Sequence, residues 1–207
     1  MELTGHKSTR MAAAQRREQL LDVTKEIVAA HGFHSVSIEG VARGAGITRP
    51  VVYGHFEDLD GLLEALVDRE IQRSVGQLDE VIDYDLTTGD PVEVLLTSLR
   101  GYLEAVQADP DTWRLVLMPP EGAPESLHER IAKGRQAIVA QLAGNVGPGL
   151  GPGRESPDPQ LTAHMLSAVS DEGARLLLTD PEHYSVERIL THARWLLEQL
   201  SGPLPPA

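Results

Sequence analysis

The stretch from Ser37 to Phe56 carries the side chains best suited to contact another molecule. Its second half holds a guanidinium, two hydroxyl groups, an imidazole and two small apolar side chains, on Thr48, Arg49, Pro50, Val51, Tyr53 and His55. A guanidinium can donate two hydrogen bonds to the edge of guanine, and apolar groups can pack on the thymine methyl. Hydroxyl and imidazole groups can bind phosphate oxygens. Since none of the six is an acid, their types indicate contact with DNA.

Two short helices are predicted around these side chains. Ser37 can cap the first helix, and Gly46 can end it because glycine accepts a positive φ without steric cost. Thr48 can cap the second helix, in which Val52 and Phe56 form an apolar i, i+4 pair. The buried face of the first helix is predicted to consist of Ile38, Val41, Ala42 and Ala45. Two helices joined by a tight turn are typical of a helix-turn-helix, whose second helix enters the major groove of DNA.

These residues resemble the DNA-binding domain of the TetR-type (tetracycline repressor) transcription regulators. In that family a helix ending in Gly-Phe leads into a helix-turn-helix with a recurring set of small, apolar and aromatic residues. The matching residues here are Gly32, Phe33, Ser37, Val41, Ala42, Ala45, Gly46, Ile47, Thr48, Val52, Tyr53, His55 and Phe56. The resemblance covers roughly residues 15 to 66. Family members often carry a lysine shortly after the phenylalanine, whereas this chain has Glu57, Asp58, Leu59 and Asp60 there.

The residues expected to contact DNA divide into two groups. Arg49 is expected to read a base edge directly, with Pro50 and Val51 as apolar contacts. The side chains expected to bind phosphate are Ser37, Thr48, Tyr53 and His55. One recognition helix reads only a few base pairs, so a specific site requires two heads about one helical turn, roughly 34 Å, apart. The expected partners are therefore double-stranded operator DNA and a second copy of the chain.

Charge is distributed unevenly along the 207 residues. The net charge is −13, but residues 1–56 hold seven Lys/Arg against five Asp/Glu, and residues 57–207 hold eleven against twenty-six. A basic N-terminal region favours DNA binding through that region, while the acidic remainder would repel DNA and help to orient the encounter. A plain solubilising role for the acidic surface is the alternative.

The rest of the composition points away from other classes of protein. Cysteine is absent, which excludes disulfides and thiolate metal sites and fits a reducing compartment. No apolar run approaches about 18 residues and the N-terminus lacks the apolar segment of a signal peptide, so we expect a cytoplasmic protein that does not bind a membrane.

Catalytic and metal-binding motifs have little support. No nucleophile elbow, phosphate-binding glycine loop or metalloprotease motif occurs. His31 and His34 have a suggestive spacing but no third ligand in their neighbourhood. Glu125 and His128 could belong to a helix-bundle metal centre only if a second such pair were present. We therefore expect no enzymatic activity, no metal and no cofactor.

Helical spacing of apolar residues recurs along most of the chain, so the predicted fold class is all-α. We expect a flexible arm over residues 1–15, a three-helix DNA-binding domain over 16–60, and a helical-bundle domain for ligand binding and dimerisation over 61–207. A long helix from Asp58 to about Asp83 would bridge the two domains, as a signal lever or as a plain strut. Residues 144–159, rich in Gly and Pro, predict a loop that is a lid, a linker or disordered.

Helix starts later in the chain are marked by short polar motifs. Asp90 and Pro91 predict an N-cap and first helical residue, and Glu93 could close a capping box. A short apolar segment is expected from Thr112 to Met118, and a helix from Glu125 to about residue 144. Two further helices are expected over 159–179 and 185–201.

Resemblance to the TetR-type regulators implies a small-molecule cavity in the C-terminal domain, with ordinary core packing as the alternative. The residues expected to line it are Leu99, Tyr102, Leu103, Trp113, Leu117, Met118 and Ile138. A moderately large, mainly apolar ligand would suit such walls. The resemblance also implies a dimer interface on the last two helices, with intramolecular burial as the alternative. Its expected residues are Leu166, Val169, Gly173, Leu177, Ile189, Ala193 and Leu196.

The function predicted from the sequence is that of a homodimeric transcription regulator. Most simply it is a repressor that occupies a near-palindromic operator and leaves it when an apolar small molecule fills the C-terminal domain. Two alternatives remain open. One is a regulator of the same fold without a small-molecule effector, controlled by a protein partner or by its own abundance. The other is an enzyme built on the helical bundle.

Overall fold

The computed structural model describes residues 12–82, 85–86, 89–146 and 156–201. Every regular element in these ranges is helical, which confirms the predicted all-α class. The helices are α1 (Ala13–His31), α2 (Ile38–Gly44), α3 (Arg49–Tyr53), α4 (Leu59–Val81), α5 (Pro91–Ala108), α6 (Pro110–Leu117), α7 (Glu125–Val146), α8 (Pro159–Thr179) and α9 (Val186–Ser201). A 3₁₀ turn, Phe33–Ser35, follows α1. None of the helices in the described ranges is long and apolar enough to span a membrane.

Several element boundaries differ from those expected from the sequence. Helix α1 begins at Ala13, so the end of the predicted arm is helical, while residues 1–11 lie outside the described ranges. Helix α7 continues to Val146, into the predicted loop, and residues 147–155 of that loop also lie outside them. The short apolar segment is a full helix, α6, because Pro110 presets its first turn.

The chain divides into two compact units. The first unit runs to Val67 and also includes Pro120–Pro124, the connection between α6 and α7. The second unit contains Asp68–Pro119 and the residues from Glu125 onwards. The first unit therefore extends past residue 60, the boundary predicted from the sequence, and α4 contributes residues to both units.

The first unit is built on close packing between α1 and α2. A Cβ atom at Gly44 would lie 2.6 Å from Cγ1 of Val23 on α1, nearer than carbon atoms approach in proteins. Glycine at this position therefore allows the two helices to come together. The buried apolar residues of the three N-terminal helices are Leu20, Leu21, Val28, Ile38, Val41, Ala42 and Val52.

The turn between α2 and α3 is fixed by backbone hydrogen bonds. The N–H of Ile47 donates to the carbonyl of Ala42 at 2.9 Å, and the N–H of Gly46 donates to that of Arg43 at 3.1 Å. Gly46 has a φ of 66°, a conformation that strongly favours glycine. This bond pair with a glycine at positive φ is the Schellman motif that ends many helices. Thr48 stands at the N-cap of α3, but its side chain makes no capping hydrogen bond.

The second unit has two apolar clusters that share α5. The first joins α5, α6 and α8 and consists of Tyr102, Leu103, Val106, Trp113, Leu117, Ala174, Leu177 and Leu178. The second joins α5 to α9 and consists of Val92, Leu96, Leu190 and Leu197. Helix α5 has apolar residues on both sides, and it is therefore the central helix of this unit.

Two bidentate ion pairs join α9 to α5. Arg194 donates to both carboxylate oxygens of Glu93, and Arg100 donates to both oxygens of Glu187 at 2.5 and 3.2 Å. Each helix has its two charged residues seven positions apart, which is close to two helical turns, so the pairs match in antiparallel register. The capping box expected for Glu93 is replaced by this contact. Asp90 alone caps α5, by accepting from the N–H of Val92 at 2.9 Å.

Removing the carboxylates of Glu93 and Glu187 should destabilise the fold at neutral pH and have less effect in acid. Hydrogen bonds from Arg194 and Arg100 lower the pKa of Glu93 and that of Glu187, respectively. A carboxylate whose folded pKa is lowered stabilises the fold above its unfolded pKa, and this contribution is lost as the pH falls through the folded pKa. The urea midpoints of wild type and Glu93→Gln/Glu187→Gln should therefore differ at pH 7 and converge as the pH falls through the lowered pKa values of the two carboxylates.

The matched control for this experiment is Glu182→Gln. Glu182 is exposed in the turn between α8 and α9, so its midpoint should follow that of the wild type at every pH. A difference between wild type and the double variant that stays constant from pH 7 to pH 3 would contradict the role given to the two ion pairs.

Candidate functional site

The residues predicted to contact DNA lie at the surface of the first unit. Thr48, Arg49, Pro50, Val51 and Tyr53 are exposed, with 40% of Val51 and 54% of Tyr53 accessible. Val52 is the one residue of α3 that faces inward, and it is fully buried. Helix α3 thus presents its hydroxyl, guanidinium and small apolar groups to the outside and uses one apolar residue for packing.

The other two predicted contacts flank this surface. Ser37 is exposed at the start of α2, where its hydroxyl oxygen accepts from the N–H of Gly40 at 3.1 Å. Because the hydroxyl hydrogen is not used in that bond, Ser37 can still donate to a phosphate oxygen. His55 is half-buried just after α3. All seven residues thus lie between Ser37 and His55 and none is fully buried, and their contact with DNA stays a prediction.

Side chains of α1 contact the residues that follow each helix of the helix-turn-helix. The guanidinium of Arg17 lies 4.5 Å from the centre of the Phe56 ring and donates to the carbonyl of His55 at 3.3 Å. Gln19 donates through its side-chain amide to the carbonyl of Ala45 at 3.4 Å, where α2 ends. Neither role was predicted from the sequence. Arg17 precedes the buried Leu21 by four residues, and this helical spacing was the available signal.

An acid stands beside the predicted base-reading residue. Glu39, in the first turn of α2, has one carboxylate oxygen 3.7 Å from Arg43 and the other 4.0 Å from Arg49. The three side chains are at least 65% exposed. Neither Glu39 nor Arg43 was assigned a role from the sequence, since only the fold brings α2 and the start of α3 side by side.

Six of the seven residues predicted to line a ligand cavity meet in one place. Tyr102, Leu103, Trp113 and Leu117 belong to the apolar cluster of α5, α6 and α8, and Leu99 and Met118 pack against it. Ile138 is half-buried on α7 and is not part of that cluster. A role of these residues in ligand binding stays a prediction.

The polar side-chain atoms of the two aromatic residues in this cluster form hydrogen bonds within the protein. The rings of Tyr102 and Trp113 meet edge to face, with centroids 5.2 Å apart. The indole N–H of Trp113 donates to Gln77 at 2.8 Å, and the Tyr102 hydroxyl donates to Asp171 at 3.2 Å. Burial, together with the nearby negative charge of Asp171, raises the pKa of Tyr102 well above its ordinary value. The phenol therefore stays protonated at neutral pH and serves as a hydrogen-bond donor.

Asp171 links this tyrosine to two cations. One carboxylate oxygen accepts from Arg135 of α7 at 2.7 Å, and the same oxygen lies 4.0 Å from Arg175 of α8. Arg175 also donates to the carbonyl of Leu117, at the end of α6, at 3.2 Å. The polar edge of the apolar cluster thus connects four helices of the second unit.

Most residues predicted for the dimer interface make contacts inside the chain. Leu177 belongs to the first apolar cluster and Ile189 packs against it. Leu166 and Ala193 pack against the second. A Cβ atom on the buried Gly173 would lie 3.1 Å from Ile189. Leu196 is half-buried, and Val169 is exposed. The assignment of these residues to a dimer interface stays a prediction.

A different set of apolar residues on α8 and α9 faces outward. Leu161, Met165 and Val169 follow each other at four-residue spacing along α8 and are 55%, 63% and 55% exposed. Trp195 of α9 is 52% exposed and stacks on the ring of His192, with centroids 5.3 Å apart. We call Leu161, Met165, Val169 and Trp195 the outer apolar face.

No group of three His, Asp or Glu side chains in the described part of the chain is arranged to hold a metal ion.

The fold and the exposed surface of α3 define a class, that of all-helical proteins with an N-terminal helix-turn-helix for DNA. Residues 20–66, which contain most of α1 with all of α2 and α3, match the model of a family described as bacterial regulatory proteins, tetR family. Over these residues the chain is therefore similar to the TetR family of regulators. The match confirms the resemblance predicted from the residues between Gly32 and Phe56.

Known proteins show how far the similarity extends. The transcriptional activator FasR of Mycolicibacterium smegmatis is 26% identical over 110 residues, which are 53% of this chain and 49% of FasR. The chain spans about half the length of the curated relatives it matches.

Solved structures share the fold over nearly the whole chain. A TetR-like regulator from Rhodococcus sp. RHA1 is 22% identical with a TM-score of 0.74, and the match covers 94% of this chain and 100% of that one. SmeT in complex with triclosan is 23% identical with a TM-score of 0.68, covering 93% and 100%. Because these identities are 22% and 23%, the similarity to solved structures establishes the fold of this chain alone.

Proposed function

We propose that this protein is a homodimeric TetR-type transcription regulator, most simply a repressor that leaves a near-palindromic operator when an apolar small molecule binds. The observation that carries this proposal is the outward set of residues on α3, within a segment that matches the model of the TetR family. The protein would act in the cytoplasm, where the operator is accessible. FasR is named an activator, and repression is proposed as the simpler mechanism because occupation of an operator is sufficient for it.

The proposed dimer forms through the outer apolar face. Met165 and its neighbours expose large apolar side chains to water at a spacing that lines one side of α8. Burying such a surface against a second copy is favourable, at about 25 cal/mol per Å² of apolar area. A two-fold symmetric contact also supplies the two heads that a near-palindromic operator requires.

The proposed ligand site lies at the cluster around Tyr102 and Trp113. This cluster combines an apolar body with two polar atoms at its edge, the composition typical of small-molecule sites. SmeT, which has the same fold, was solved with triclosan. A ligand would act by binding more tightly to one of two arrangements of the heads, because equal affinity for both would shift nothing.

The rival proposal is a regulator of this fold without a small-molecule effector. The two are separated by measuring the melting temperature of the protein with a panel of small apolar compounds, since a true ligand raises it by mass action. An enzyme on the same bundle is the remaining alternative, and a substrate screen with no turnover would count against it.

Replacing Arg49 with alanine should weaken operator binding by about 1–3 kcal/mol and relax the preference at one base pair. Arg49 is exposed at the first residue of α3 and offers the bidentate donor pair that guanine accepts. The measurement is a titration of the full-length variant against an operator duplex selected from a random pool by the wild type, and against single-base variants of it.

Tyr53→Phe is the matched control for Arg49→Ala. Removing the Tyr53 hydroxyl takes away a phosphate contact, so this variant should lose affinity for the selected duplex and for a scrambled duplex by the same factor. Equal losses on both duplexes for Arg49→Ala would show that Arg49 also binds only phosphate.

A further inference from the structure

Glu39 places a negative charge on a surface that must approach phosphate. It is the one Asp or Glu between Phe33 and Phe56, and Arg43 and Arg49 are the only Lys or Arg in that stretch. A carboxylate facing a polyanion weakens binding by Coulomb repulsion. A neutral side chain would bind DNA more tightly, so the acid needs a reason other than affinity.

The position of Glu39 between two guanidinium groups gives that reason. Its carboxylate oxygens lie 3.7 Å from Arg43, in the last turn of α2, and 4.0 Å from Arg49, at the start of α3. Because all three side chains are largely exposed, these ion pairs add little to folding stability. They place both cations beside one carboxylate in the protein without DNA.

Contacts to phosphate and contacts to bases respond differently to this carboxylate. Binding to random DNA depends on cations that reach phosphates. If Arg49 turns to a phosphate, it must leave Glu39 or bring that carboxylate close to the phosphate charge. If it points to a base edge, its remaining donors can keep the contact with Glu39. The acid therefore penalises phosphate contact more than base contact.

We propose that Glu39 is a specificity-determining residue, which holds Arg49 for base reading and suppresses binding to DNA that lacks the operator sequence. This inference rests on the role of Arg49 under the proposed function. Glu39 acts through Arg49 and is a positioning residue. It contributes to the ratio of specific to non-specific affinity, the quantity that governs occupancy in a genome with many competing sites.

The test compares Glu39→Gln with wild type on two duplexes of equal length. One is the duplex selected from a random pool by the wild type, and the other is its scrambled version. Removal of one exposed charge should tighten binding to the scrambled duplex about two- to fivefold. Binding to the selected duplex should gain less, so the specificity ratio should fall. An equal gain on both duplexes, or no change on either, would overturn the proposal.

Two further variants separate this role from a general charge effect. Glu26→Gln removes an equal charge from an exposed position on α1 and should leave the specificity ratio unchanged. In an Arg49→Ala background, Glu39→Gln should no longer lower the ratio, because the side chain it positions is gone. A full effect of Glu39→Gln in that background would refute action through Arg49.

Failure of this inference is distinguishable from failure of the proposed function. If the wild type does not discriminate between the two duplexes, the proposed function fails and this inference fails with it. If the wild type discriminates and Glu39→Gln behaves like Glu26→Gln, only the role of Glu39 is refuted.

Discussion

A glutamate at Met165 or Val169 is expected to convert the proposed dimer into a monomer and to weaken binding to the proposed operator by about 100-fold or more. Both side chains project from the outer apolar face and are more than half exposed. A charge placed there would be buried without a partner when two copies meet, which is strongly unfavourable. A monomer holds one head, so the second half of the operator would no longer contribute to binding.

The mass of the particle measures this effect directly. Light scattering or sedimentation equilibrium should give 22.5 kDa for the variant and about twice that mass for wild type. Gln136→Glu adds the same charge at an exposed position on α7 and should stay dimeric. A Met165→Glu protein that remains dimeric and binds the operator like wild type would place the interface elsewhere.

Gly173, one of the residues predicted from the sequence to lie at the dimer interface, provides a second comparison with Met165. Gly173→Leu should destabilise the fold itself, because even a Cβ atom at this position lies 3.1 Å from Ile189. Thermal unfolding of this variant should shift strongly, whereas Met165→Glu, which leaves the contacts within the chain in place, should shift it less. The two substitutions therefore separate contacts within the chain from contacts between chains.

Replacing Trp113 with alanine is expected to lower the free energy of unfolding by about 3–5 kcal/mol. The side chain is 2% exposed and lies at the centre of the cluster that joins α5, α6 and α8. Its removal would lose the edge-to-face contact with Tyr102 and leave Gln77 without the donor that now binds it. Urea unfolding followed by circular dichroism measures the change.

Two conservative variants divide this loss into its parts. Trp113→Phe keeps an aromatic ring but removes the indole N–H, so the cost should fall to about 1–3 kcal/mol. Trp195→Phe keeps an aromatic ring on the outer apolar face, outside this cluster, so its effect should stay below about 1.5 kcal/mol. If Trp113→Ala lowered the free energy of unfolding by less than Trp195→Phe does, the central position of Trp113 would be contradicted.

The same variants supply fluorescent probes for the proposed ligand site. The chain has two tryptophans, so Trp195→Phe leaves Trp113 as the reporter of the apolar cluster. A ligand bound at this cluster should change the emission of that variant. In Trp113→Phe, where Trp195 on the outer apolar face is the reporter, emission should instead respond to dissociation of the dimer.

Much of the helix-turn-helix could be predicted from the sequence because its signals are local. Ser37 at an N-cap and Gly46 at positive φ act within one turn of helix, and the four-residue spacing of the buried Val52 and Phe56 follows from helical periodicity. The all-helical class and most helix boundaries have the same origin. Local spacing also placed Tyr102 and Trp113, the polar-tipped aromatic residues, among the core residues of the C-terminal region.

Only the tertiary structure decided which side chains meet across elements. Glu93 could equally have closed a capping box on its own helix, and it is the antiparallel approach of α9 that gives it Arg194 as partner. Apolar residues surround more than one side of α8, so periodicity alone could not show that Leu177 faces inward and Met165 outward. The contact of Glu39 with Arg49 likewise depends on how the turn folds α2 against α3. Local helix signals act over a few residues, whereas these pairings depend on packing between segments distant in sequence or separated by a turn.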